Sequence, residues 1–279
     1  MANHVDVNEQ QRIQETAESW EDYWKAALPQ RSPPVGRGFL HRLKRFFQRS
    51  GSFELAYRLL RKEIGNSEGK VILEAGSGSG ELSLLLAQTS RSAVLLDTSA
   101  AAVQYSNRYC TNENLPAVSI RGSIFHLPFR DGVFDASFNV GVLDHFSKES
   151  RRSAVAEMLR VTADQGRMVF LTNDRRSWIH PLVMRWAVKK GIWPHGYKAA
   201  IASLAEEWRD FPEPLVVREY SRGFISQFEF LRYFVQHSKF WLALFYRLFF
   251  LIALPLGVLN VLPGQYRVTV LEKNALSPK

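Results

Sequence analysis

The chain has 279 residues and a net charge of +9, with 46% apolar and 23% charged residues. That is enough chain for one large domain with insertions, and it is too apolar for a disordered one. The single cysteine, Cys110, excludes intramolecular disulfides and fits a reducing compartment. The positive charge favours phosphate-bearing partners: nucleic acid, anionic lipid or an acidic substrate.

Residues 8–27 follow a helical pattern on a polar background that carries Trp20, Tyr23 and Trp24. No secretory signal is visible over 1–11, so a cytoplasmic protein is expected. Pro33 and Pro34 break the chain between 30 and 38. A short helix at 37–49 then places Phe39, Leu40, Leu43, Phe46 and Phe47 on one face and Arg42, Lys44, Arg45 and Arg49 on the other. Such a helix lies on an anionic membrane surface or packs as a lid. Residues 1–52 therefore read as an N-terminal helical segment or lid, and 53–279 as the main domain. A third helix at 53–65 ends at Gly65-Asn66.

The stretch Val71-Ile72-Leu73-Glu74-Ala75-Gly76-Ser77-Gly78-Ser79-Gly80 carries the most chemistry. An apolar strand gives way to three glycines at alternate positions, and a helical pattern starts at Glu81. Glycine lets a ligand approach bare backbone, and the free N–H groups of the next helix face the same spot. In open α/β sheets, ligands bind at such carboxyl ends of strands. The dinucleotide fingerprint G-x-G-x-x-G fails here, because Glu81 stands at its third glycine. Glu74 beside the loop would oppose a pyrophosphate and suit a cation. A second apolar run, Ala93 to Leu96, ends in Asp97, an acid placed to accept from ribose hydroxyls.

Further strands are expected near 117–121, 134–139 and 167–172, with helices near 80–89, 99–112 and 148–162 between them. This alternation predicts a mostly parallel sheet with helices on both faces. Beyond 173 the pattern loosens. Helical insertions are expected at about 175–199, basic and aromatic with Trp178 and Trp186, and at 223–262. Strands are expected at 215–220 and 266–271. The apolar run over 224–254 reads as helical and is interrupted for membrane crossing by Arg247, Pro255 and Asn260. If the last strand joins the same sheet, a single crossing is excluded, which leaves a packed cap, an apolar substrate channel or a surface dipping into a bilayer interface.

Residues 71–80 resemble motif I of the class I S-adenosylmethionine-dependent methyltransferases, with a methyltransferase type 11-like domain, and Asp97 resembles their acid at the end of strand two. Arg121-Gly122-Ser123-Ile124-Phe125-His126-Leu127-Pro128-Phe129 is similar to the family segment GDAxxLPF. Phe134-Asp135-Ala136-Ser137-Phe138-Asn139-Val140-Gly141-Val142-Leu143-Asp144-His145-Phe146 is similar to FDxVxxxxxLxHF. Glu157 to Val161, followed by Gly166 to Phe170, is similar to the segment that follows. The resemblance covers about residues 55–175. It implies a Rossmann-like sheet of seven strands, the last antiparallel, and S-adenosylmethionine as the cofactor.

It also implies roles. Gly76, Gly78 and Gly80, with Ala75 and Ser77, would shape the loop around the methionine part, and Glu74 would order that loop or meet the amino group. Asp97 would hold the ribose, with Thr98 beside it. Ser123, standing where the family has an acid, and Ile124 would flank adenine. Asn139 and Val140 would lie under the donor. Each has a plainer alternative: Glu74 braces the turn, Asp97 caps the helix near Ser99, and Asn139 packs. His145 is a weak candidate for a base, with Asp144, His126 and His195 weaker still. No metal-ligand cluster and no nucleic-acid module is expected.

The leading expectation is methyl transfer by in-line displacement to a small-molecule acceptor, hydrophobic or lipid-linked, with peripheral contact to an anionic membrane. The alternatives are a non-catalytic membrane-surface or scaffolding protein of the same fold, and an NAD-dependent oxidoreductase, which Glu81 disfavours.

Overall fold

The computed structural model describes residues 7–28, 43, 51–197, 200–208 and 215–273. The predicted basic helix at 37–49 lies outside the described residues, apart from Leu43. The elements run α1 (Val7–Ala27), α2 (Ser52–Ile64), β1 (Val71–Ala75), α3 (Glu81–Leu86), β2 (Ser92–Asp97), α4 (Ala100–Asn112) and β3 (Ala117–Arg121). They continue through β4 (Phe134–Val140), α5 (Lys148–Val161), β5 (Thr162–Asn173), α6 (Ile179–Lys189) and α7 (Leu204–Glu207). The last are β6 (Leu215–Arg222), α8 (Lys239–Leu256) and β7 (Tyr266–Lys273).

Apolar strands joined by helical crossovers make one seven-stranded sheet in the order β3-β2-β1-β4-β5-β7-β6. The first five strands pair in parallel, and β7 is antiparallel to both β5 and β6. The two-residue period of the strands divides the core between the faces. Leu73, Leu96 and Phe170 pack with Met158, Leu159 and Trp208 on one side. Ile72, Phe138, Val169 and Leu171 pack with Leu60 of α2 and Leu85 of α3 on the other. Cys110 is buried in a smaller cluster with Leu84 and Leu95.

The apolar stretch expected as helical over 224–254 is divided. A 3-10 segment at Ser226–Phe234 precedes α8, and Ser238 opens α8 by accepting from the Trp241 N–H at 3.4 Å. A second 3-10 turn follows at Gly257–Val261. The first 3-10 segment packs on α6 through Ile179, Val183, Met184, Ala187 and Tyr233. Within α8, Ala253 is the one buried residue.

This whole excursion leaves and returns at one place. Arg222, the last residue of β6, pairs with Tyr266, the first of β7, and Tyr266 pairs with Asn173 at the carboxyl end of β5. The base is stapled. Asn260 Oδ1 accepts from the N–H groups of Ile225 and Ser226, both at 2.9 Å, and Gly223 N donates to Asn260 O at 2.9 Å. Gly264 passes so close to Gly223 that a Cβ would meet its carbonyl at 2.3 Å.

Asn260→Ala leaves two buried N–H groups unpaired, so chemical denaturation is expected to show a loss of about 1–3 kcal/mol in stability. An unchanged unfolding midpoint would refute the role given to this side chain.

Candidate active site

β1 ends at Ala75 and the chain turns through Gly76 to Gly80 before α3 begins. Gly76 has φ +81° and Gly78 φ +52°, in the left-handed region that disfavours a side chain. The space is closed as well: a Cβ on Gly76 would meet Val142 Cγ2 at 2.6 Å, and one on Gly78 would meet the Trp24 ring at 2.4 Å. The loop is pinned to the neighbouring strand. Gly76 N and Ser77 N both donate to Leu96 O, at 2.8 and 3.0 Å. Gly78 N donates to Asp97 Oδ2 at 2.7 Å, and Ser99 N to Asp97 Oδ1 at 2.9 Å.

A cavity of about 280 Å³ opens beside this loop. Glu74, Gly76, Ser77, Gly78, Asp97, Thr98, Ser123, Ile124 and Val140 line it, as does His145. Three expected residues do not. Asn139 is fully buried and directs its Nδ2 to Met158 Sδ at 3.7 Å. The strand runs on to Val140, and alternation turns Val140, not Asn139, to the cavity. Gly80 is the N-cap of α3 and is a packing glycine, since a Cβ there would meet Leu95 Cδ2 at 2.2 Å. Ala75 faces the core cluster around Leu73. The Ser123 hydroxyl accepts from Phe125 N at 3.2 Å and so holds its own turn. His126 is exposed and outside the lining.

The acids are strongly perturbed. Glu74 is buried and accepts a long bond, 3.3 Å, from Ser83 N, and burial pushes its carboxyl up to about 8. Burial also raises Asp97, against the pull of the backbone donors of Ser99, Gly78 and Thr98. The Ser77 hydroxyl is buried without a partner among the described residues. Two acids beside bare backbone, with an orphaned hydroxyl, fit a cationic nucleoside ligand.

None of the residues expected in the site lies on α1, yet Ile13, Thr16, Ala17, Trp20 and Trp24 complete the cavity wall. Trp20 and Trp24 stand four apart on a polar helix, the signal that could have marked them. The helix is held by acids at the starts of two others. Ser99 Oγ and Ala101 N, at the start of α4, donate to Glu21 Oε2 at 2.6 and 3.3 Å. Ser150 Oγ, in the first turn of α5, donates to Glu9 Oε1 at 2.6 Å. These hydroxyls hold both carboxyls below their ordinary range. Trp20 also stacks on His195, ring centres 3.9 Å apart, and meets His145 edge-on at 5.2 Å.

A second chamber of about 570 Å³ shares Ile13, Thr16, His145 and Phe146 with the first. Asp144 and His195 line it too. Asp144 Oδ2 accepts from Asn173 N and Nδ2 at 3.3 and 3.4 Å, while Oδ1 is buried without a partner among the described residues. Burial pushes this carboxyl up to about 7. His195 Nδ1 meets Ser19 Oγ at 2.9 Å, and burial lowers its affinity for a proton.

A parallel sheet closed by an antiparallel last strand, with a glycine loop bound to an acid on the next strand, is the architecture of a nucleoside-binding α/β domain. Residues 73–170 match the methyltransferase domain family. A [4+2]-cyclase, SpnF, shares the fold with a TM-score of 0.55 at 20% identity, covering 79% of this chain and 81% of that one. Geranyl diphosphate C-methyltransferase from Streptomyces coelicolor A3(2), solved with S-adenosyl-L-homocysteine, shares it with a TM-score of 0.54 at 16% identity, covering 79% and 76%. A mouse (Mus musculus) protein named "Probable tRNA methyltransferase 9B" is 51% identical over 45 residues, which is 16% of this chain and only 10% of that protein. Residues 73–170 thus carry a match to the methyltransferase domain, inside a fold shared with a methyltransferase solved with S-adenosyl-L-homocysteine.

Gly78→Ala strains a left-handed residue and pushes on Trp24, so cofactor affinity by titration calorimetry is expected to fall about tenfold or more with the circular dichroism spectrum unchanged. Unaltered affinity would refute the close-approach argument. Glu74 is mostly protonated in the free protein at neutral pH, and a cationic ligand favours its ionised form. Affinity for S-adenosylmethionine should therefore rise from about pH 6 to about pH 8 and then level, by at most about tenfold per unit. Glu74→Gln should flatten that profile; a profile of the same slope in the variant would remove Glu74 from the cofactor site.

Proposed function

We propose that this enzyme methylates a hydrophobic or lipid-linked small molecule, working as a peripheral protein on the cytoplasmic side of a membrane. The observation that carries the acceptor class is the excursion at 223–265. Its exposed apolar residues issue from the same carboxyl edge of the sheet that holds both chambers. The lone Cys110 supports a reducing compartment.

Bound S-adenosylmethionine supplies a methyl group on a sulfonium, already activated for in-line displacement. The protein's part is alignment and exclusion of water. Gly76, Ser77 and Gly78 offer backbone to the methionine end, and Glu74 meets its positive charge. Asp97 takes the ribose while keeping the loop, and Ile124 and Ser123 border the base. α1 acts as a lid: Trp20 and Trp24 close the wall against solvent. His145 faces both chambers and orients the acceptor. Where the acceptor carries an O–H or N–H, its proton leaves toward the Asp144 carboxylate, whose affinity for a proton near neutrality suits that task.

The test is transfer of a labelled methyl group to a panel of apolar alcohols, amines and prenyl-linked compounds. The reading expects labelled product with at least one lipid-like acceptor and none with water-soluble analogues of the same reacting group. Labelling confined to the soluble analogues would overturn it. Asp97→Ala should weaken cofactor binding by about tenfold or more, since two buried backbone bonds and a ribose partner go together; an unchanged dissociation constant would reject the ribose role.

A further inference from the structure

The helical unit at the carboxyl edge exposes more apolar surface than any other part of the described chain. Leu251 is 68% exposed, Val258 71% and Phe240 68%, with Trp241, Leu248 and Ile252 also more than two-fifths exposed. The stretch Lys239–Val261 is long and apolar enough to cross a membrane by length and composition. The topology forbids a single crossing. Both ends of the excursion are paired strands of one sheet, β6 and β7, joined at Arg222 and Tyr266. α8 therefore enters an apolar phase and leaves it on the same side.

Charge names that phase. Between Glu229 and Glu272 the sequence has no acid; Arg232 is paired with Glu229 and Arg267 with Glu219 and Asp174, which leaves Lys239 and Arg247 as the exposed charges of α8. The neighbouring α6 presents Trp178, Leu182, Arg185 and Lys189 along one exposed stripe at helical spacing, and 175–204 carries no acid either. Trp178 sits edge-on to Phe228, and Trp186 against Phe234, so α6 and the base of the excursion form one body. An apolar surface bordered by the exposed Arg185, Lys189, Lys239 and Arg247 complements anionic headgroups over hydrocarbon. A protein partner would cover one face, whereas the exposed surface of α8 holds Phe240, Trp241, Leu248, Leu251, Ile252 and Leu256, with Lys239 and Arg247 its exposed charges.

We propose that α8 and the outer stripe of α6 form a monotopic docking face that inserts into one leaflet of an anionic bilayer, setting the chambers at the membrane surface. This rests on the proposed acceptor class for its purpose but not for its physics. The experiment is co-sedimentation of the full chain with phosphatidylcholine vesicles, with and without phosphatidylglycerol. Cofactor affinity is measured on the same preparation, and oligomeric state by sedimentation velocity without lipid. The expected result is binding to the anionic vesicles, weaker binding to neutral ones, and a loss of about tenfold or more in the combined variant Leu248→Glu, Leu251→Glu, Ile252→Glu with cofactor affinity intact. Quenching of Trp241 emission by brominated lipid, lost in Trp241→Phe, is a second readout that needs no apolar residue removed from the core. Protein that binds cofactor but stays in the supernatant overturns the docking face. So does a lipid-free dimer that the triple variant dissociates, which would make a second copy the occupant. Vesicle binding without cofactor binding leaves the docking face standing and removes the acceptor reading instead.

Discussion

Asp97 is the constraint on which the site depends. A loop that must offer bare backbone has to be rich in glycine, and glycine brings the largest loss of freedom on ordering. The chain offsets that with a carboxylate from the next strand. Asp97 accepts from Gly78 N on one oxygen and from Ser99 N on the other, so one side chain fixes the turn after β1 and the start of α4 after β2. Leu96 O receives two further loop N–H groups. The loop is thus held to β2 as well as to its own helix, and its positive φ angles are set before any ligand arrives. The plainer role read for Asp97 in the sequence, as a cap at Ser99, and the functional one are compatible, because each oxygen keeps a second lone pair.

The same device closes the site from above. α1 is polar over most of its surface, and a lone polar helix has little to hold it. It is kept in place by two acids about three turns apart, Glu9 and Glu21, each at the N-terminal turn of a different helix. Those helices, α5 and α4, follow β4 and β2, so their starts lie at the carboxyl edge on either side of the glycine loop. Docking α1 there places Trp20 and Trp24 over the cavity, and the Trp24 ring fills the space that a side chain on Gly78 would need. Three helix starts and one glycine turn, all at the same edge, give the site its affinity for acids of its own and hence for a cation.

The parts legible in the sequence were those fixed by local rules. Apolar runs bounded by turn residues marked β1, β2 and β4, and the spacing from Gly76 to Asp97 follows from one helical crossover. The Asn139 side chain turns to the core because one residue decides which face a side chain takes, and β4 continues one residue past the expected end. Gly80 shares the left-handed backbone of Gly76 and Gly78, and the approach of Leu95, which only packing reveals, adds a second reason for a glycine there. The share of the site built by α1 was only half legible: Trp20 and Trp24 mark a face of the helix, but not what that face docks on. The division of the apolar stretch at Ser238 was legible in principle as a cap, and was masked by the uniform hydrophobicity on either side.

The antiparallel β7 has a consequence for the whole molecule. In a purely parallel sheet, each crossover starts at the carboxyl edge and ends at the amino edge, so an insertion is tethered across the full height of the domain. Reversing the last strand returns the chain to the edge it left, and an insertion between β6 and β7 is rooted at one point. Asn260 and Gly264 make that root tight. The residues beyond it are free of the sheet's packing demands, which is why α8 buries Ala253 alone while Val268 and Val270, a few positions later, are fully buried. Because the root lies beside Asn173, whose amides hold Asp144, the base of the apolar excursion and the floor of the second chamber share one strand end. Whatever fixes the excursion in space fixes the mouth of the site with it.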